Sequence, residues 1–223
     1  MDAGSGNRAE LVFFTGPMDC GKSTLALQMA HTQSTHDRVG RLYTREDRGG
    51  QGAITSRIGL STSAIEVDDG YDFWRCLTED LMSGQRVDFI VADEAQFYTA
   101  PQIDQLARVV DDLGIDVFCF GILADFRTQL FPASKRLVEL ADRVETLQVQ
   151  PLCWCGARGT MNARIINGTM VTQGSQVLVG NTDEPAASVH YEVLCRRHYR
   201  LRMPKALGAT LSPPLLPLEV DGG

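Results

Sequence analysis

The stretch Gly16-Pro17-Met18-Asp19-Cys20-Gly21-Lys22-Ser23-Thr24 contains the pattern G-x-x-x-x-G-K-[ST]. Glycines at these positions let the backbone curl until successive N–H groups converge on phosphate oxygens, and the start of a following helix adds positive potential. Lys22 then reaches the β- and γ-phosphates of a triphosphate, and the Ser23 hydroxyl is a ligand for magnesium. All nine residues form the candidate ATP-binding loop. The pattern directly follows an apolar run and directly precedes a helical one, which is the setting its chemistry needs.

A second acidic element follows. Residues 87–94, Val-Asp-Phe-Ile-Val-Ala-Asp-Glu, read as an apolar strand ending in two carboxylates. Asp93 is placed to hold magnesium with Ser23, directly or through water. Glu94, on the other face of the strand trace, could accept a proton from an attacking water or alcohol. Taken alone, such a pair could simply solvate a turn; beside a phosphate loop it gains a role. The letters Asp93-Glu94-Ala95-Gln96 also suit a helicase-like ATPase box. Such motors commonly need two domains and a basic track for nucleic acid.

Cys153 and Cys155, then Cys195 and His198, offer two close pairs of soft or borderline ligands, a set suited to tetrahedral zinc in a closed structural site. Their C-x-C spacing is tighter than the usual C-x-x-C, so buried thiols beside a surface histidine remain an alternative. Cys76 and Cys119 read as small core residues.

Short β-branched or aromatic runs at Leu11–Thr15, Val39–Thr44, Phe89–Ala92, Ile115–Ile122 and Val144–Val149 alternate with helical stretches. That alternation predicts an α/β fold, a P-loop, RecA-like parallel sheet flanked by helices. Amphipathic helices are expected over Gly21–Ala30 and Tyr71–Met82, and a third over Pro101–Leu113, opened by its proline and closed by Gly114. Residues Arg45–Ser56, with three glycines and no periodicity, read as a mobile, functional loop. After Pro151 the pattern changes to short β segments, with a hairpin at Asn167-Gly168. The expected organisation is a tail at 1–9, a nucleotide-binding domain at 10–150, a small β-rich zinc domain at 151–203, and a second tail at 204–223.

A formal charge of −7 and a pI near 5.1 argue against binding nucleic acid. The first apolar run is too short for a signal-peptide core or a membrane span, so a cytoplasmic protein is expected.

Together these motifs resemble the type II, zinc-containing thymidine kinases over roughly Leu11 to Tyr199. The matching pieces are Gly-Pro-Met-Asp-Cys-Gly-Lys-Ser, Asp93-Glu94-Ala95-Gln96-Phe97, residues 121–127 (Gly-Ile-Leu-Ala-Asp-Phe-Arg), Cys153-Trp154-Cys155-Gly156, Val177-Leu178-Val179-Gly180, and Tyr191 ahead of Cys195-Arg-Arg-His198-Tyr. The resemblance implies transfer of the γ-phosphate of ATP to the 5′-hydroxyl of thymidine, with deoxyuridine as second substrate, for DNA precursor salvage. It implies that Glu94 is the catalytic base, that Arg48 lies near the phosphates, and that thymine sits between the two domains. Met18, Phe97, Phe126 and Phe131 would line that pocket. Asn162, Val177, Val179 and Gly180, on a lasso-like loop spanning about 156–191, would meet the base, and Tyr191 would cover the sugar or base. Zinc would pin both ends of the lasso. The family also implies a homotetramer inhibited by thymidine triphosphate. Many members carry two C-x-x-C pairs, where this chain has C-x-C and C-x-x-H. Two other readings remain open from the residues: a kinase of the same fold acting on another nucleoside, and an ATP-dependent switch in which Glu94 activates water.

Overall fold

The computed structural model describes residues 8–45, 52–176 and 188–207. They fall into two compact units, one running to Asp125 and from Gln129 to Gln150, the other made of Phe126–Thr128 and the chain from Pro151 on.

In chain order the first unit contains β1 (Leu11–Thr15), α1 (Lys22–Ser34), β2 (Gly40–Thr44), β3 (Ala53–Thr55), β4 (Ser61–Ser63), β5 (Ile65–Glu66), α2 (Phe73–Met82), β6 (Phe89–Ala92), a 3-10 turn at Ala95–Phe97, α3 (Ala100–Leu113), β7 (Asp116–Gly121), α4 (Pro132–Leu140) and β8 (Arg143–Thr146). Six strands form one sheet in the order β5-β2-β6-β7-β1-β8, and every neighbouring pair runs parallel. The sheet is buried on both faces, which is why its central strands read as continuous apolar runs. Alternate residues serve opposite faces. Leu11, Phe13, Ile90, Ala92, Val117 and Cys119 pack with Phe73 and Leu77 of α2, Ile103 and Leu106 of α3, and Leu137 of α4. Val12, Phe89, Val91, Phe118 and Phe120 pack instead with Ala26, Leu27 and Ala30 of α1 and with Ile54.

Local rules set the helix ends. Asp72 caps α2, its side chain accepting from the Arg75 N–H at 2.9 Å. A reciprocal capping box starts α3: Thr99 Oγ1 accepts from Gln102 N, and Gln102 Oε1 accepts from Thr99 N. Gly114, at φ 67°, ends it in the left-handed region.

Several expectations need correction. Residues 53–55 of the expected mobile loop form β3, paired antiparallel with β4 and fixed by the buried Ile54; three residues with one apolar side chain carry no visible period. Arg143–Thr146 replaces the expected 144–149 strand and is an exposed edge. The apolar residues of α1 do not gather on one stripe, because its buried face is largely alanine. Cys119 is buried as expected, but Cys76 is only half-buried. Helix α4 buries a polar residue, Ser134, which donates to the Ile122 carbonyl at 2.7 Å.

The second unit contains β9 (Met161–Ile166), β10 (Thr169–Val171), β11 (Val189–Leu194) and α5 (Arg196–Arg200), with an antiparallel sheet ordered β10-β9-β11. Asn167 and Gly168, at φ 50° and 77°, turn the β9–β10 hairpin as the dipeptide predicts. Its core is Cys153, Ala163, Ile165, Met170 and Leu194.

Candidate functional site

Because the sheet of the first unit is parallel, the carboxyl ends of its strands lie along one edge, where ligands of such sheets bind. The loop after β1 and the turn after β6 both leave from that edge. Gly16 has no room for a side chain: a Cβ there would lie 2.6 Å from Cys20 Sγ. Cys20 is fully buried, so only its backbone is free to face a ligand. Asp19 and Gly21 take φ values of 66° and 84°, which wind the loop into α1. Among the described residues no side chain caps the start of α1, and no acid sits in its first turn; its N-terminal amides and dipole are therefore open to an anion. Lys22 Nζ lies over the loop, donating to the Pro17 carbonyl at 2.8 Å and the Gly16 carbonyl at 3.4 Å. Met18 and Thr24 are half-buried.

The loop and the acidic turn meet at Asp93, which hydrogen-bonds the Ser23 hydroxyl and feels the Lys22 charge. Asp93 is 4% exposed. Burial first, and the Glu94 charge second, lift its carboxyl to about 7, while the bonds from Ser23 and the Glu94 amide and the Lys22 charge oppose the rise. Glu94 is not on the strand, as its expected alternation required. The strand ends at Ala92, and Glu94 takes φ 51°, ψ 34° to start the 3-10 turn. Its carboxylate accepts a hydrogen bond from Gln96 Nε2, a residue given no role from sequence. Another missed residue is Arg57, in the β3–β4 turn, which pairs with Asp19 of the phosphate loop at 2.5 Å. Arg48 lies outside the described residues.

Among the expected base-pocket residues, Phe97 and Phe131 meet edge to face with centroids 5.6 Å apart. In the second unit, Phe126 and Tyr191 are joined through Arg164, the largest fully buried side chain among the described residues. Its guanidinium stacks over the Phe126 ring at 3.7 Å, and its N–H groups donate to Tyr191 Oη, the Ser175 carbonyl and the Gln176 carbonyl at 2.8–2.9 Å. Arg164 lies opposite Tyr191 in the β9–β11 register. The only sequence signal for it is a polar alternation, Asn162 and Arg164 around Ala163. Asn162 is buried on the same strand. Val177, Val179 and Gly180 lie outside the described residues.

The ligand atoms of Cys153, Cys155, Cys195 and His198 all lie within 4.8 Å of one another. A tetrahedral zinc with arms of about 2.3 Å to sulfur needs donors roughly 3.8 Å apart, so small adjustments make a closed four-donor site. Cys153 and His198 Nδ1 are already 3.3 Å apart, and the His198 ring stacks on Trp154 at 4.1 Å. The Cys195 thiol is held below its ordinary value chiefly by the His198 amide; burial pushes that of Cys153 up.

The model of the thymidine kinase family matches residues 9–199. The chain is 58% identical to a thymidine kinase of Streptomyces coelicolor over 94% of this chain and 98% of the relative. It is 60% identical to one of Cutibacterium acnes over 95% of this chain and 98% of the relative. Among solved structures, the ATPase domain of G40P aligns at 19% identity over 62% of this chain and 69% of that chain, with a TM-score of 0.44.

Proposed function

The chain belongs to the thymidine kinase family, and we propose that it moves the γ-phosphate of ATP to the 5′-hydroxyl of thymidine with Glu94 as the base. Thymidine phosphorylation is the activity that the near full-length similarity at 57–60% identity assigns to it. Deoxyuridine is the second substrate, and the product enters DNA precursor salvage.

The residue roles follow from local chemistry. The amides of Gly16–Thr24 and the Lys22 ammonium cradle the phosphates, with Arg48 as a further cation. Ser23 and Asp93 would hold magnesium; a hydroxyl and a carboxylate already in contact are the hard oxygen donors that ion prefers. When bound, magnesium neutralises charge on the phosphates. Glu94 orients the 5′-hydroxyl and receives its proton. Because the phosphoryl transition state is loose, orientation counts at least as much as deprotonation. Met18, Phe97, Phe126 and Phe131 supply apolar surface to thymine. Asn162, Val177, Val179, Gly180 and Tyr191 supply the contacts that select it. Zinc on Cys153, Cys155, Cys195 and His198 would brace the second unit and take no part in the chemistry.

The observation that carries the reading is the contact of Ser23 with Asp93, one residue before a carboxylate held by Gln96. A homotetramer, inhibition by thymidine triphosphate and a cytoplasmic location complete the proposal. Among the described residues no helix is long and apolar enough to cross a membrane.

A nucleoside panel with ATP tests it. Monophosphate should form from thymidine and deoxyuridine; preference for cytidine or a purine would remove the assignment, and ATP hydrolysis that nucleosides do not raise would point to a water-activating switch. Glu94→Gln should keep ATP and thymidine binding while turnover falls by about 10²- to 10⁴-fold. Near-normal turnover would mean another residue is the base.

A further inference from the structure

Gln96 lies two residues beyond the proposed base and is 2% exposed. Its amide orientation is forced. The Ile122 N–H can only donate, and it donates to Gln96 Oε1 at 3.1 Å. Nε2 is therefore the end that faces Glu94, and it donates to Glu94 Oε2. One carboxylate oxygen is thus engaged, leaving the other to meet a substrate hydroxyl.

The support behind this amide is rigid. Ile122 follows directly after β7, the neighbour of β6 in the sheet, and its carbonyl accepts from the buried Ser134 hydroxyl of α4. The backbone makes room for Gln96 at one point: a Cβ on Gly121 would fall 2.7 Å from Gln96 Oε1 and 3.1 Å from the Gln96 backbone nitrogen. Glu94 itself occupies a left-handed backbone conformation, which is uncommon for a residue with a side chain. It is pinned on both sides by the bonds Asp93 N to Tyr43 O and Phe97 N to Glu94 O, at 2.9 and 3.0 Å.

We propose that Gln96 is a positioning residue for phosphoryl transfer: it ties the Glu94 carboxylate to the end of β7, so that the base meets the 5′-hydroxyl in one orientation. The proposal rests on Glu94 being the base. Catalysis of this kind depends on placement, and an error of about 1 Å costs roughly a hundredfold in rate.

Gln96→Glu is the sharpest test, because it keeps the volume and the acceptor for Ile122 while replacing the donor that faces Glu94 with an oxygen. Gln96→Met removes both bonds at similar length. For both variants kcat should fall by about a hundredfold, with KM for ATP and thymidine within about threefold of the parent, since Gln96 is buried behind Glu94 with its side chain bonded to Glu94 and the Ile122 amide. In a Glu94→Gln background, Gln96→Met should cost no further turnover, because the base it places is already gone. Unchanged kcat, a loss carried in KM, or a loss that multiplies in both backgrounds would overturn the proposal. Gly121→Ala, which presses on Gln96 from behind without altering it, decides the matter if the Gln96 variants do not fold: kcat should drop by about tenfold or more at constant KM, and parental kcat would refute the role. If Glu94→Gln itself keeps its turnover, the base assignment fails; if Glu94→Gln is inactive while the Gln96 and Gly121 variants are normal, only the role of Gln96 fails.

Discussion

Asp93→Asn should make the nucleotide-free protein more stable at pH 8 while abolishing magnesium-dependent turnover. The carboxyl of Asp93 is buried and sits beside Glu94, and its pKa is raised from 3.8 to about 7. A raised carboxyl pKa means that the folded state binds the proton more tightly than the unfolded chain. The stabilisation linked to that proton is complete below pH 3.8 and is lost as pH rises to about 7. About three pH units at 1.36 kcal/mol each give an upper figure of about 4 kcal/mol at pH 8. Asparagine cannot recover all of it, because it changes the bonds to Ser23 and the Glu94 amide. A gain of about 1–3 kcal/mol is therefore expected, or roughly 2–10 °C in Tm for a protein of this size. Urea and thermal unfolding of parent and variant, at pH 5 and pH 8 without nucleotide or magnesium, would measure it. The gap between the two proteins should be large at pH 8 and narrow at pH 5. A variant no more stable than the parent at pH 8, or a gap indifferent to pH, would refute the reasoning.

Two further perturbations address the second unit. Cys155→Ser should lower bound zinc and the melting temperature together while leaving KM for ATP within about twofold, since metal binding is coupled to folding of the unit that holds it; metal analysis showing undiminished zinc would remove the four-ligand assignment. Arg164→Lys keeps a positive charge but cannot reach Tyr191 Oη, the Ser175 carbonyl and the Gln176 carbonyl together. Each buried group left unpaired costs about 1–3 kcal/mol, so the expected outcome in steady-state kinetics and melting is a less stable protein whose KM for thymidine rises several-fold more than its KM for ATP.

The parallel sheet was legible because its core strands repeat one physical statement, an apolar run bounded by turn residues. Leu11–Thr15 and Phe89–Ala92 are read from sequence with the bounds they have in the structure. The phosphate loop was legible because glycine, lysine and serine at fixed offsets are required by the ligand whatever the scaffold. Arg164, Gln96 and Arg57 were not legible as site residues, because each acts through a long-range contact. Gln96 meets a backbone amide 26 residues away, and Arg57 meets an acid in a loop that precedes it by two strands.

The places where this chain breaks local rules independently locate its active end. Much of the first unit obeys them, with side-chain caps on α2 and α3, apolar strands and alternating faces. Several exceptions lie at the carboxyl ends of the strands; Asp37, at φ 55° in the turn before β2, is one at the other end. Asp93 is a buried acid with a raised pKa, Glu94 is a non-glycine residue at positive φ, and Asp19 is another in the phosphate loop. Thr15 Oγ1, at the end of β1, Arg45 Nη1, just after β2, and Tyr98 Oη, just after the 3-10 turn, are buried polar atoms with no hydrogen-bond partner among the described residues. Each such feature opposes folding by about 1–3 kcal/mol, and folded chains concentrate features of that kind where function requires them. Tyr98 is close enough to Asp93 and Arg45 for their charges to act on its hydroxyl, so these three form one neighbourhood. A phosphate loop could be identified from its motif alone; that a buried acid, a residue at positive φ and two unmet polar groups meet at Asp93, Glu94, Arg45 and Tyr98 is a separate physical argument for the same location.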